Sequence, residues 1–289
     1  MQFANKRVVL TGAGGGIGRA LAQLLAQHNA QLVLVGRDSK KLERVKSELA
    51  AGSSVYLVSA DIATDEGRHR VASICTQLGG IDVLINCAGI NDFALFQQQK
   101  AAMIAQLIDV NVTAPMLLTQ QLLPLLERAS AGLIVNIGST FGTIGHPGFV
   151  AYCAAKFALR GFSQALRREL ADTSVRVQYI APRATRTAIN TDAVYAMNTA
   201  LKIRMDDPAN VAAQILTAMA AGKKSEIYLG WPEKLFARIN QIIPALVDGA
   251  LLKQLSTIRL FAARLEPKVS AVVMPQPDAL VTARQKLAR

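Results

Sequence analysis

The chain has 289 residues, 51% of them apolar, which is enough to bury one large core and excludes a mainly disordered protein. Its formal charge of +12 raises nucleic acid as a partner, but aromatics make up only 5% and no helix-turn-helix or finger spacing occurs. An anionic cofactor or an anionic membrane surface is the expected correlate, and no nucleic acid.

Cys75, Cys87 and Cys153 stand apart with no C-x-x-C spacing, which argues against a disulfide or zinc framework. They fit a reducing compartment, and no metal site is expected. The N-terminal "MQFANKRVVLTGAG" runs from one short apolar stretch into glycines, so no secretory signal is expected. No uninterrupted apolar run approaches the ~20 residues that span a bilayer.

In chain order, strands are predicted at 7–11, 31–35, 55–59, 82–86, 133–139, 176–180 and 226–230. Helical periodicity falls between them at 17–28, 39–50, 65–78, 99–127 and 150–171. Continuous apolar strands separated by helices predict an α/β fold with a doubly wound, mostly parallel Rossmann-type sheet of about seven strands.

The first strand leads into "TGAGGGIG". Gly12, Gly16 and Gly18 fit T-G-x-x-x-G-x-G, with Gly14, Gly15 and Ile17 between them. At a first strand-to-helix junction such glycines let backbone N–H groups approach a pyrophosphate. The second strand ends "LVLVGRDSKKLE", and Gly36 takes the slot where dinucleotide folds place a ribose-binding acid. Arg37 follows, and a guanidinium there suits a 2′-phosphate, which favours NADP(H) over NAD(H). The alternative has Arg37 solvated and Asp38 on the ribose; Asp38 is also placed to cap the next helix.

Further along, "AYCAAKFALRGF" (151–162) sets Tyr152 and Lys156 four positions apart, on one helix face. Alone this reads as an ordinary i, i+4 surface pair. An ammonium one turn from a phenol, together with the positive charge of an oxidised nicotinamide, also favours phenolate and lowers its pKa, which suits a general acid/base. Ser139, at a predicted strand end, is placed to hold a substrate oxygen.

With "TGAGGGIG", "NCAG" (86–89), "NVTAP" (111–115), "IGS" (137–139) and "YCAAK" (152–156) assembled, the chain resembles the short-chain dehydrogenase/reductase family through about residue 230. The resemblance implies that Ser139, Tyr152 and Lys156 are catalytic and that Asn111 anchors a water-linked proton relay through Lys156. It implies that Asp61, with Ile62 beside it, contacts adenine. Asn86, Ala88 and Gly89 would back the cofactor's central ribose, and Pro182 and Thr187 would lie by the nicotinamide. It further implies hydride transfer between NADP(H) and a small-molecule carbonyl or alcohol. A homodimer or homotetramer paired through 99–127 and 150–171 is also implied. A protein that binds NADP without turnover is the alternative; its usual sign, loss of the tyrosine or lysine, does not occur.

Arg183 stands where the family has glycine, and its cation is either a ligand for an anionic substrate or pyrophosphate, or turned outward. Residues 190–205 would cover the substrate, with Val194, Tyr195, Met197 and Leu201 as an apolar wall that suits a hydrophobic substrate. The expected organisation is therefore a catalytic domain at 1–230, an amphipathic helical extension at 231–266 and a loose tail at 267–289. Pro244 is expected to kink or divide the extension. Its apolar stripe and flanking cations fit packing on the parent domain, a second subunit or an anionic membrane. A cytoplasmic location is expected, with peripheral contact at the inner face of a membrane as an open alternative.

Overall fold

In a computed structural model of the chain, which describes residues 2–222 and 224–264, seven strands form one sheet. They are β1 (Arg7–Thr11), β2 (Gln31–Gly36), β3 (Val55–Ser59), β4 (Val83–Asn86), β5 (Gly132–Ile137), β6 (Val175–Ala181) and β7 (Glu226–Tyr228). All pairings are parallel, in the order β3-β2-β1-β4-β5-β6-β7. The order reverses between β1 and β4, where open α/β sheets bind ligands beyond the strand ends.

Ten α-helices flank the sheet in the described residues: α1 (Gly16–Gln27), α2 (Ser39–Ser47), α3 (Asp65–Gln77), α4 (Ala101–Ile108), α5 (Ala114–Glu127), α6 (Val150–Glu169), α7 (Asp192–Ala200), α8 (Pro208–Ala221), α9 (Glu233–Ile242) and α10 (Pro244–Ala262). Both sheet faces are covered, so the central strands β1, β2, β4 and β5 are buried on both sides. Val8 and Leu10 join one core with Leu21 and Leu25 of α1 and Ile215 of α8. Val9 joins the other with Val71 of α3 and Leu118 and Leu122 of α5. Each of these buried aliphatics contributes about 1.5–3 kcal/mol.

The run predicted as one helix over 99–127 is divided. A π-helical turn, Asp109–Thr113, separates α4 from α5. Two features explain it. The Asn111 side chain bonds both backbone groups of Ile90, and Pro115 at the start of α5 has no N–H to give the ladder. By length and composition Ala101–Glu127 is apolar enough to cross a membrane, but Leu118, Leu122 and Leu126 are spent on the core.

The extension is also two helices. Pro244 opens α10 at its first turn, and the chain bends by 120° between α9 and α10. The predicted tail at 267–289, and residues 265–266 of the predicted extension, lie outside the described residues.

Candidate active site

The ends of β1, β4, β5 and β6 open onto one cavity of roughly 910 Å³. Its floor is the glycine turn. Gly12 has φ +68°, and a Cβ there would sit 2.8 Å from Ala88 Cα, so only glycine fits between the ends of β1 and β4. Thr11 ties the same two ends: its Oγ1 accepts from the N–H groups of Cys87 (3.0 Å) and Ala88 (3.1 Å). No side chain caps α1 at Gly15, and its first turn holds no acid. The first-turn N–H groups are thus left for an anion.

At one end the cavity is lined by Arg37, Asp38, Lys41, Asp61 and Ile62. Arg37 lies 4.0 Å from Asp61, while Asp38 accepts from the Lys41 backbone at 3.1 Å and so caps α2. Two exposed cations thus face two carboxylates, Arg37 with Asp61 and Lys41 with Asp38, each pair 4.0 Å apart.

At the other end, β5 delivers Ser139 and α6 delivers Tyr152 and Lys156. Ser139 Oγ accepts from the Phe141 N–H at 3.1 Å, and Ser139 and Tyr152 line the cavity together. The Tyr179 hydroxyl grips the Ser139 backbone, donating to its carbonyl at 3.1 Å and accepting from its N–H at 3.3 Å. Lys156 is 5% exposed, donates to the Ile137 carbonyl at 3.1 Å and lies 5.7 Å from the Tyr152 ring centroid. Gly89 leaves room for the Asn111 carboxamide, since a Cβ would come within 2.9 Å of Asn111 Oδ1.

Burial pushes the Tyr152 phenol above its ordinary value, and the neighbouring Ser139 hydroxyl only partly offsets this. Burial also pulls the Lys156 ammonium down, to about 8.

Of the predicted residues, Gly12, Gly14, Gly15, Gly16, Ile17, Gly18, Arg37, Asp61, Ile62, Ala88, Gly89, Ser139, Tyr152, Lys156, Pro182 and Thr187 all line this cavity. Asn86 does not. Its amide reaches the other way, to Thr119 Oγ1 (3.0 Å) and Asn136 Oδ1 (2.8 Å), bracing the sheet against α5. Asn111 stands behind Gly89 and Ile90, outside the lining.

On the substrate side, Val194 and Met197 of α7 form a wall. Tyr195 lies outside the lining, and its hydroxyl donates to the Thr187 carbonyl at 3.1 Å. Arg183 lines the cavity, but its guanidinium is paired with Asp206 at 2.6 and 2.8 Å and donates to the Trp231 carbonyl at 2.9 Å. It is a tie between segments, which neither sequence-based alternative anticipated. Sequence reasoning also missed Thr11, Tyr179 and the side chains that the extension contributes: Phe236, Val247, Ala250, Leu251 and Gln254. The alternation of Val247, Leu251 and Gln254 with exposed positions was the available signal for the last group.

The sequence profile of the short chain dehydrogenase family matches residues 6–198. An uncharacterized oxidoreductase of Staphylococcus aureus (strain N315) is 34% identical over 222 residues, covering 76% of this chain and 94% of that protein. Among solved structures, a short-chain dehydrogenase from Streptomyces avermitilis superimposes with a TM-score of 0.74 at 26% identity, covering 88% of this chain and 98% of that one. The 3-ketoacyl-(acyl-carrier-protein) reductase from Brucella melitensis complexed with NADH gives 0.71 at 26% identity, covering 78% and 96%. The matched span takes in the glycine turn, the serine and the tyrosine–lysine pair, and with it this chain belongs to the short chain dehydrogenase family of NAD- or NADP-binding oxidoreductases.

Proposed function

We propose that the protein reduces the carbonyl of a hydrophobic small molecule with NADPH, or oxidises the matching secondary alcohol. The observation that carries this reading is that Ser139, Tyr152 and Lys156, the last two one turn apart on α6, line the same cavity as the uncapped start of α1. The cavity fits a dinucleotide, because a Cβ at Gly12 would fill its cradle and α1 offers bare N–H groups.

The glycine turn would hold the pyrophosphate, Asp61 and Ile62 the adenine, and Arg37 the 2′-phosphate with Lys41 near it. Pro182 and Thr187 would border the nicotinamide, and Ala88 and Gly89 the central ribose. When bound, the cofactor supplies the hydride that reduces the carbonyl carbon. Ser139 donates a hydrogen bond to the carbonyl oxygen and positions it. Tyr152 gives that oxygen its proton, so C=O becomes H–C–O–H and a phenolate remains. Lys156 stabilises the phenolate and returns a proton, with Asn111 setting the path behind it.

NADP(H) is preferred because Gly36 ends β2, Arg37 follows it into the cavity lining and Asp38 is engaged as a cap. The exposed apolar stripe of Ile108, Met116, Leu117 and Phe157 supports a homodimer or homotetramer paired through α4, α5 and α6. The test is oxidation of NADPH and NADH with a panel of apolar ketones. Expected are higher kcat/KM with NADPH and a Tyr152→Phe variant slower by roughly 10²–10⁴-fold. Near-normal turnover by that variant would reject the role of Tyr152, and higher kcat/KM with NADH would reject the cofactor assignment.

A further inference from the structure

We propose that α9 and α10 seat on an anionic lipid bilayer, from which an apolar carbonyl compound enters the cavity. The cargo rests on the reductase reading; the docking does not.

The two helices have two apolar sides. Facing inward, Phe236, Val247, Ala250 and Leu251 line the catalytic cavity. Facing outward, Leu235 and Ile242 of α9 and Leu246, Leu252 and Leu260 of α10 are exposed, Ile242 by 79% and Leu260 by 73%. Half of the exposed large apolar side chains among the described residues lie in 231–260. A helix that needed only to cover the cavity has no use for the second side.

The charge around this outer side selects the occupant. Residues 231–264 carry five Lys or Arg against two Asp or Glu, and Lys234, Arg238, Lys253 and Arg259 are exposed. Cations flanking an apolar surface suit an anionic headgroup layer over an acyl layer. A second copy suits it poorly, because a two-fold interface would set two surfaces of the same net positive charge against each other.

A second cavity adjoins the first. It has roughly 640 Å³ and lies between α10 and the turn at Gly145, His146 and Pro147. Leu252, itself 67% exposed, lines it from the surface, and Leu251 and His146 line both cavities. The outer side of α10 and the catalytic cavity are thus separated by these two side chains. The one acid lining the second cavity is Asp248, and Arg183 of the catalytic cavity is paired with Asp206. The substrate portion that enters is therefore uncharged and water-insoluble.

The full chain should co-sediment with vesicles of phosphatidylcholine containing about one-third phosphatidylglycerol and bind pure phosphatidylcholine more weakly. Ile242→Asp with Leu246→Asp, at positions outside both cavities, should weaken binding to the anionic vesicles by at least roughly tenfold. Its turnover of a water-soluble ketone with NADPH should be unchanged. Lys253→Glu with Arg259→Glu should abolish the preference for anionic lipid. Wild-type protein that stays in the supernatant, or an Ile242/Leu246 variant that binds as well as wild type, would overturn the docking. So would an oligomer that this variant alone splits, since a second copy would then cover the surface. Vesicle binding with no carbonyl turnover would leave the docking standing and overturn the reductase reading and its cargo.

Discussion

Tyr152 and Lys156 share one turn of α6, and burial drives their pKa values in opposite directions, the phenol up and the ammonium down to about 8. For Lys156 the folded value lies below the ordinary 10.5, so the unfolded chain binds its proton more tightly between those limits. The destabilisation from a buried charge is therefore fully present below pH 8 and relieved as the pH rises toward 10.5. Lys156→Met should raise the melting temperature most below pH 8, with a benefit on the order of 3 kcal/mol that shrinks by pH 10.5. A pH-independent difference in thermal melts would show that Lys156 is not held as a buried ammonium. The pair was legible in sequence because four positions make one turn. Tyr179 was not: a tyrosine within an apolar strand reads as core. Its grip on Ser139 follows from the pairing of β5 with β6, which sets Asn136 opposite Tyr179.

At the scale of elements, Arg183 joins three segments: the exit of β6, the approach to α8 through Asp206 and the start of the extension through the Trp231 carbonyl. The side chains of the pair are only 8% and 14% exposed. Gly230, with φ +90°, gives the guanidinium its room, since a Cβ would lie 2.5 Å from Arg183 Cδ. Arg183→Gly would leave Asp206 unpaired and should cost about 3 kcal/mol in denaturant unfolding. It should also raise KM for the carbonyl substrate more than it lowers kcat, because the cavity wall loosens while Ser139 and Tyr152 keep their places. Unchanged stability and KM would mean the tie is incidental. That glycine is replaced was plain in the sequence. That the replacement is a tie was not, because Asp206 lies 23 positions away and its approach depends on the bridge between Thr185 and Asp206.

For the whole molecule, Met116 and Phe157 lie exposed on helices whose opposite faces are buried in the core. If these surfaces pair two copies, Met116→Glu with Phe157→Glu should shift the mass measured by light scattering from oligomer to monomer. A monomeric wild type would discard this interface. The extension is held at its far end too: Arg264 pairs with Asp92, and its N–H donates to Gln98 Oε1 at 2.9 Å.

The layers, the parallel sheet and the placement of the glycine turn and the tyrosine–lysine pair were determined by the sequence alone. Each follows from a local period or a spacing of a few residues: apolar runs between helices, glycines at a strand end, two side chains one turn apart. What covers the substrate end was decided only by the tertiary structure. The inner side of α10 meets α7 and the loop after β4, and Asp92 finds Arg264 across 172 positions of chain. Amphipathic periodicity states that a face will be buried, but the same stripe serves a parent domain, a partner or a bilayer. Which side of α10 is buried, and that its other side stays exposed, depends on the 120° bend at Pro244 and on the shape of the cavity it closes.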